Sequence, residues 1–219
     1  MGKKRKVILF DLDGTLTDPK EGITKSFQYA LDSFGIREEN LDNLEKVIGP
    51  PLIDSFREFY HFSEEDAWRG TEKYRERFEV TGWKENKLYP GVPEMLKELK
   101  DRGIKLSIAS SKPTVFVERI CDHFDIYQYF DFIAASNLDG SRTGKYDIIE
   151  YAYKGLEVMD KNDMLMVGDR KFDIEGAKQF GIRSVGVEYG YGGFSELKTA
   201  GADFIVNSVE ELNKLLKKL

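Results

Sequence analysis

A chain of 219 residues is long enough to bury a full hydrophobic core, as one large domain or as a core with an insertion. Its 39 acidic and 33 basic residues leave a formal charge of −6 and a sequence pI near 5.2, which argues against a nucleic-acid binder working through a basic face. No apolar run approaches the ~18 residues of a membrane span, no signal-peptide core follows the basic start, and Cys121 stands alone, so a cytoplasmic protein without membrane or nucleic-acid partners is expected.

The basic run Lys3-Lys4-Arg5-Lys6 reads as a solvated terminus, and Gly2 is no myristoylation site because position 6 is Lys. An apolar strand over 6–11 then leads into Asp11-Leu12-Asp13-Gly14-Thr15. Side chains two apart on a strand point the same way, so Asp11 and Asp13 should both face the mouth beyond its carboxyl end, where open α/β sheets bind ligands. Two carboxylates held that close repel unless a cation sits between them, and hard oxygen ligands point to Mg²⁺.

Residues 17–87 contain no convincing strand and read as successive helices. One spans 21–34 and stops at Gly35, a residue suited to the C′ position. Gly49-Pro50-Pro51 breaks one helix and starts another, and Ser63-Glu64-Glu65-Asp66 resembles a capping box for a helix running to about Val80. Such an insertion is expected to act as a cap, with the Gly49-Pro50-Pro51-Leu52 turn and the segment near Arg57 as candidate contributors to specificity. The core resumes at Tyr89-Pro90-Gly91, with Pro93 fitting an N1 position and Gly103 ending the helix.

Further apolar, β-rich runs recur at 104–110, 130–136, 164–168, 183–188 and 203–206, alternating with helical patterns. That alternation predicts an α/β fold, a Rossmann-like parallel sheet flanked by helices. The expected organisation is therefore a catalytic core of 1–16 and 88–219 with an all-helical cap of 17–87. Cys121 sits at helical spacing as a packing residue, and His61 and His123 lack any metal-ligand pattern. Glu188-Tyr189-Gly190-Tyr191-Gly192-Gly193 reads as a Gly-rich turn, since it misses the dinucleotide spacing.

Four short motifs occur in order: Asp11-Leu12-Asp13-Gly14-Thr15, Ser107-Ile108-Ala109-Ser110-Ser111-Lys112-Pro113, Gly144-Lys145, and Gly168-Asp169 followed by Asp173. Together they resemble the motifs of the haloacid dehalogenase superfamily over essentially the whole chain. The helical insertion after the first motif is similar to that of C1-capped phosphatases. Gly22-Ile23, Ser110-Ser111-Lys112-Pro113 and Gly190-Tyr191-Gly192 resemble the phosphoglycolate phosphatase branch, some of whose relatives are described as 5′-nucleotidases.

The resemblance implies a Mg²⁺-dependent phosphatase acting on a small phosphorylated metabolite, as a monomer or homodimer. It implies Asp11 as the nucleophile and Asp13 as acid, then base. Ser110, the Ser111 amide, loop amides near Asp13 and Gly14, and Lys145 would hold the phosphoryl oxygens. Asp11, the Asp13 main-chain carbonyl and Asp169 would hold the metal, with Asp173 holding a metal-bound water or orienting Lys145.

Two departures from the resembled pattern stand out. Tyr146 replaces the Pro that commonly follows the third-motif Lys, which leaves Lys112 or Lys171 as substitutes for Lys145. Arg170-Lys171 replaces small residues and is expected to add positive charge near the mouth, suiting phosphoglycolate or a 5′-nucleotide. A phosphosugar mutase would need cap residues that retain a bisphosphate, and a non-catalytic regulatory module is disfavoured because all four catalytic positions are filled.

Overall fold

The computed structural model describes residues 7–219, so the basic run at 3–6 lies outside the described residues. In chain order the strands are β1 (Val7–Phe10), β2 (Thr17–Asp18), β3 (Lys87–Leu88), β4 (Lys105–Pro113), β5 (Phe132–Ser136), β6 (Met164–Gly168), β7 (Arg183–Val187) and β8 (Phe204–Val206). The helices are α1 (Lys20–Asp32), α2 (Leu52–Tyr60), α3 (Glu64–Phe78), α4 (Val92–Asp101), α5 (Thr114–His123), α6 (Lys145–Gly155), α7 (Lys171–Phe180), α8 (Gly193–Ala200) and α9 (Val209–Leu216). Contacts divide the chain into two compact units, residues 7–17 with 88–219, and residues 18–87.

The first unit is built on a parallel sheet in the order β5-β4-β1-β6-β7-β8. Every residue of β1 is buried, as is every residue of β6, which is how strands covered on both faces behave and why Val-Ile-Leu-Phe shows no polar alternation. On one face Leu9, Ala109, Ala134 and Met166 meet Ile148, Ile149 and Ala152 of α6 and Ala177 and Phe180 of α7. From β1 the chain passes to β4 and β5 on one side, then returns to β6 on the other. The order therefore reverses at β1, and the crevice beyond the carboxyl ends of β1, β4 and β6 is the place such a sheet offers for a ligand.

The second unit buries an aromatic core. Phe27 of α1 stacks on Phe56 of α2 with ring centroids 4.2 Å apart, and α3 buries Tyr74 and Phe78, stacked on each other at 5.2 Å. Ser63 caps α3 by accepting the Asp66 amide at 3.1 Å, as the capping-box pattern foretold. The segment ahead of Gly49 is a 3₁₀ turn, Leu41–Val47, rather than a full helix.

Some sequence expectations need correction. Thr17–Asp18 and Lys87–Leu88 pair as a two-stranded sheet where no strand was expected; two residues are too few to show a period. Pro93 occupies the second helical position, because Gly91 at φ +87° already turns the chain into α4 and Val92 opens the helix. Gly35, at φ +71°, lies two residues past the C-cap Ser33 rather than one.

Candidate active site

β1 ends at Phe10, and the chain then winds tightly. The Leu12 carbonyl accepts the amides of Thr15, Leu16 and Thr17, at 3.3, 2.9 and 3.0 Å. Gly14 makes the turn possible at φ +78°, and a side chain there would collide with Asp169, whose Oδ2 lies 2.2 Å from where a Cβ would stand. The Gly14 amide is engaged by the Thr17 carbonyl at 2.8 Å, so Gly14 serves as a spacer rather than as the expected phosphoryl donor. Because the strand has ended, the two first-motif carboxylates are not gathered into one cluster of ligand oxygens as their spacing implied. Asp11 joins Asp169 and Asp173 in a buried cluster whose ligand oxygens all lie within 4.8 Å of one another; the Asp13 side chain is outside it.

Each carboxylate has its own ammonium neighbour. Lys145, first residue of α6, sets its Nζ 3.0 Å from Asp11 Oδ1 and 2.6 Å from Asp173 Oδ1, and donates to the Ala109 carbonyl at 2.7 Å. Burial pulls this ammonium down, but Asp11 and Asp173 more than offset that and hold it above the ordinary lysine value. Tyr146 does not displace it: the ring packs edge-on against Phe180, centroids 5.7 Å apart, and leaves the helix start in place. Lys112 Nζ instead lies 2.7 Å from Asp13 Oδ2. Burial pushes the Asp13 carboxyl up against the opposing pull of Lys112, and Asp13 Oδ1 is buried with no hydrogen-bond partner.

Ser110 is buried within β4, where the pairing with β5 shifts register, and its Oγ accepts the Lys112 amide at 3.4 Å. Ser111 donates through Oγ to the Thr143 carbonyl at 2.9 Å.

Asp169 follows β6 directly. Its Oδ2 accepts the Tyr191 amide at 2.8 Å, and its Oδ1 the Thr15 hydroxyl at 3.3 Å. The Gly-rich turn after β7 is thus part of the site. At Gly190 a Cβ would sit 2.3 Å from Asp169 Cβ and 2.4 Å from the Gly14 carbonyl oxygen, which only glycine allows. Burial, then repulsion by Asp173 and Asp11, drives the Asp169 carboxyl well above the usual range. Burial likewise lifts Asp173 to about 6, with Lys145 opposing. Asp173 also accepts the Arg170 amide through Oδ2 at 3.1 Å.

Among the described residues, the ammonium groups in contact with Asp11, Asp13, Asp169 and Asp173 are those of Lys112 and Lys145, and Arg170, which also draws on Asp169, is paired with Glu196, so the ionised site holds about two negative charges in excess in a buried place. Three hard carboxylates converging within 4.8 Å with that excess fit a divalent cation, and Asp11, Asp169 and Asp173 are the side chains placed to hold one.

The expected extra charge at Arg170-Lys171 is reduced: the exposed Lys171 keeps its charge, whereas that of Arg170 is neutralised. Arg170 Nε lies 2.9 Å from Glu196 Oε1, which also accepts the Lys171 amide at 2.8 Å, so Glu196 neutralises the guanidinium and anchors the start of α7. Neither Glu196 nor Thr15, nor the partnership of Lys112 with Asp13, was assigned from the sequence. Thr15 and Lys112 lay inside quoted motifs, while Glu196 carried no signal. Cys121 is buried and burial raises its thiol to about 12, consistent with packing. His61 and His123 are exposed, and among the described residues no helix is long and apolar enough to cross a membrane.

The haloacid dehalogenase-like hydrolase pattern matches residues 8–187. A protein named 5′-nucleotidase from Pseudomonas aeruginosa is 48% identical over 87% of this chain and 86% of its own length. A tyrosine-protein kinase named PtkA from Mycobacterium tuberculosis is 37% identical over 87% of this chain, which spans 65% of that protein. A phosphoglycolate phosphatase from Aquifex aeolicus is 30% identical over 96% of each chain. The crystal structure of a predicted phosphatase from Clostridium acetobutylicum superimposes with a TM-score of 0.97 at 48% identity, covering 99% of this chain and all of that one. With its motifs, its sheet order and these relatives in agreement, the chain belongs to the haloacid dehalogenase-like hydrolase family, among its phosphatases.

Proposed function

We propose that the protein is a cytoplasmic, Mg²⁺-dependent phosphomonoesterase that hydrolyses a small phosphorylated metabolite, with nucleoside 5′-monophosphates first and phosphoglycolate second. The carrying observation is the separation of the two first-motif carboxylates: Asp11 lies in the acidic cluster beside Lys145, whereas Asp13 stands apart with an unpartnered buried oxygen.

That separation supports different roles. An Asp11 oxygen attacks phosphorus and forms an aspartyl-phosphate as the ester P–O bond breaks, and Asp13 gives its proton to the departing alkoxide. Asp13 then takes a proton from water, whose oxygen attacks the same phosphorus and releases Asp11 and inorganic phosphate. Lys145, Ser110 and the Ser111 amide hold the phosphoryl oxygens as charge spreads over them. A divalent cation held by Asp11, Asp169 and Asp173, with the Asp13 main-chain carbonyl, supplies further compensation for phosphoryl charge when bound. Specificity is assigned to the helical unit of residues 18–87, and the oligomeric state is taken as monomer or homodimer.

The sequence motifs alone put phosphoglycolate first. The order is reversed here because the relative named 5′-nucleotidase is 48% identical and the phosphoglycolate phosphatase 30%. The test is phosphate release at fixed Mg²⁺ across nucleoside 5′-monophosphates, phosphoglycolate, sugar phosphates and phosphotyrosine peptides, with product analysis for isomerised sugar phosphate. Highest kcat/KM on a nucleotide supports the reading. Best turnover of peptides, or isomerisation without net phosphate release, overturns it.

A further inference from the structure

We infer that Arg142 is a positioning residue for Lys145, a staple between the end of β5 and the start of α6 that sets where the catalytic ammonium stands. The inference rests on the proposed role of Lys145 in holding the phosphoryl group.

The loop over 137–144 delivers the chain from β5 to Lys145. Arg142 adopts φ +54° within it, the left-handed region that a residue with a side chain rarely enters. The side chain makes contacts that hold this conformation. Its Nε donates to the Ala135 carbonyl at 2.9 Å and an Nη to Asn137 Oδ1 at 3.1 Å, while the guanidinium carbon lies 3.8 Å over the Tyr151 ring of α6. One planar group thus grips the last turn of strand, the first loop residue and the helix that carries Lys145, a combination of forked donation and stacking that lysine does not offer.

The neighbouring residue is tied as well, since the Thr143 carbonyl accepts the Ser111 hydroxyl at 2.9 Å and thereby links the loop to the second motif. Gly144 then caps α6, and Lys145 follows with Nζ at 3.0 Å from Asp11. These contacts direct the guanidinium at β5, the loop and α6, which assigns Arg142 an action through Lys145 and not on substrate.

The test compares Arg142→Gly, Arg142→Lys and Lys145→Ala with the double variant Arg142→Gly/Lys145→Ala. Glycine accepts the left-handed backbone without strain, so Arg142→Gly removes the guanidinium while relieving the conformation. Readouts are kcat, KM, the melting temperature, and the affinity for inorganic phosphate by calorimetry in Mg²⁺. A displacement of the ammonium by about 1 Å should lower kcat roughly 10- to 100-fold in Arg142→Gly, with phosphate affinity down about tenfold and Arg142→Lys failing to rescue either. On the Lys145→Ala background the same change should weaken phosphate binding no further, because there is no ammonium left to misplace. Wild-type kcat and phosphate affinity in Arg142→Gly, or losses that add in the double variant, overturn the staple. Wild-type behaviour of Lys145→Ala instead overturns the proposed site chemistry, and the positioning role with it.

Discussion

Withdrawing Mg²⁺ should lower the thermal stability of the protein, and the loss should grow with pH. The reason is the two-charge excess of the ionised site. Asp173 has a folded pKa of about 6 against an ordinary 3.8, so between those values the folded chain holds more protons than the unfolded one. Metal-free stability therefore falls as pH rises across that window, and above about pH 6 the penalty is on the order of 3 kcal/mol, shared between Asp173 and the groups it titrates with. Asp169, raised well above its ordinary range by burial and by Asp173 and Asp11, carries the trend to higher pH. A cation at 100 times its Kd stabilises the folded state by ~2.7 kcal/mol, which for a protein of this size is about 5–10 °C in Tm. Scanning calorimetry in chelator and in excess Mg²⁺ at pH 5, 6 and 7 should show the largest shift at pH 7 and a shrinking one at pH 5, where protons already neutralise the cluster. Asp169→Asn keeps the shape and removes a charge, so its metal-free Tm should lie above that of the wild type and most of the Mg²⁺ shift should disappear. An equal Mg²⁺ shift at pH 5 and pH 7, or an Asp169→Asn protein that melts lower in chelator yet retains the shift, refutes the charge argument.

Asp11→Asn should abolish phosphate release with an unchanged circular dichroism spectrum, because the amide keeps the volume but is no nucleophile; retention of more than roughly a hundredth of wild-type activity counts against a covalent intermediate. Lys145→Ala should lower kcat by about 10²-fold or more, and an unchanged rate would transfer the phosphoryl clamp to another cation. Asp13→Asn should depress kcat/KM, which reports formation of the aspartyl-phosphate, far more for alkyl phosphates than for p-nitrophenyl phosphate, whose leaving group needs no proton, while kcat falls on both because hydrolysis of the intermediate uses the same carboxylate; equal losses in kcat/KM would remove Asp13 from acid catalysis. Gly190→Ala should cost about 1–3 kcal/mol in chemical denaturation and weaken Mg²⁺ binding, since its methyl must displace Asp169 or the Gly14 carbonyl, and a neutral effect would mean that the turn is loosely packed.

The parallel sheet was legible because its strands are buried on both faces, so apolar runs such as Val7-Ile8-Leu9-Phe10 and Met164-Leu165-Met166-Val167 stand out between helical patterns. The pairing of Thr17–Asp18 with Lys87–Leu88 was not, since strands that short have no period and their partners lie some seventy residues apart. Within the site, Asp11, Asp169 and Asp173 were readable from motif order, but the spacing did not show that the Asp13 carboxylate would stand outside their cluster. The alternation rule holds only while the strand lasts, and β1 stops at Phe10. Glu196 was invisible for a different reason. Its partner Arg170 is 26 residues away, and no local pattern marks a surface-helix glutamate as the group that neutralises a guanidinium beside the site.

The same early end to β1 explains how two aspartates separated by one residue come to have different surroundings. A strand continuing through Asp13 would set both carboxylates side by side over one cation. The turn at Gly14 instead sends Asp13 toward Lys112, outside the cluster that holds Asp11, Asp169, Asp173 and Lys145. Burial raises Asp13 and favours its protonated form, the state from which an acid starts, while one of its oxygens remains without a partner to meet a leaving group. Asp11 lies against Lys145 and the other carboxylates, where any compensating cation must also sit, and there an oxygen can be presented to an approaching phosphoryl group without two anions simply repelling each other. On the proposed mechanism, backbone geometry at one glycine would thus set which carboxylate attacks and which transfers the proton.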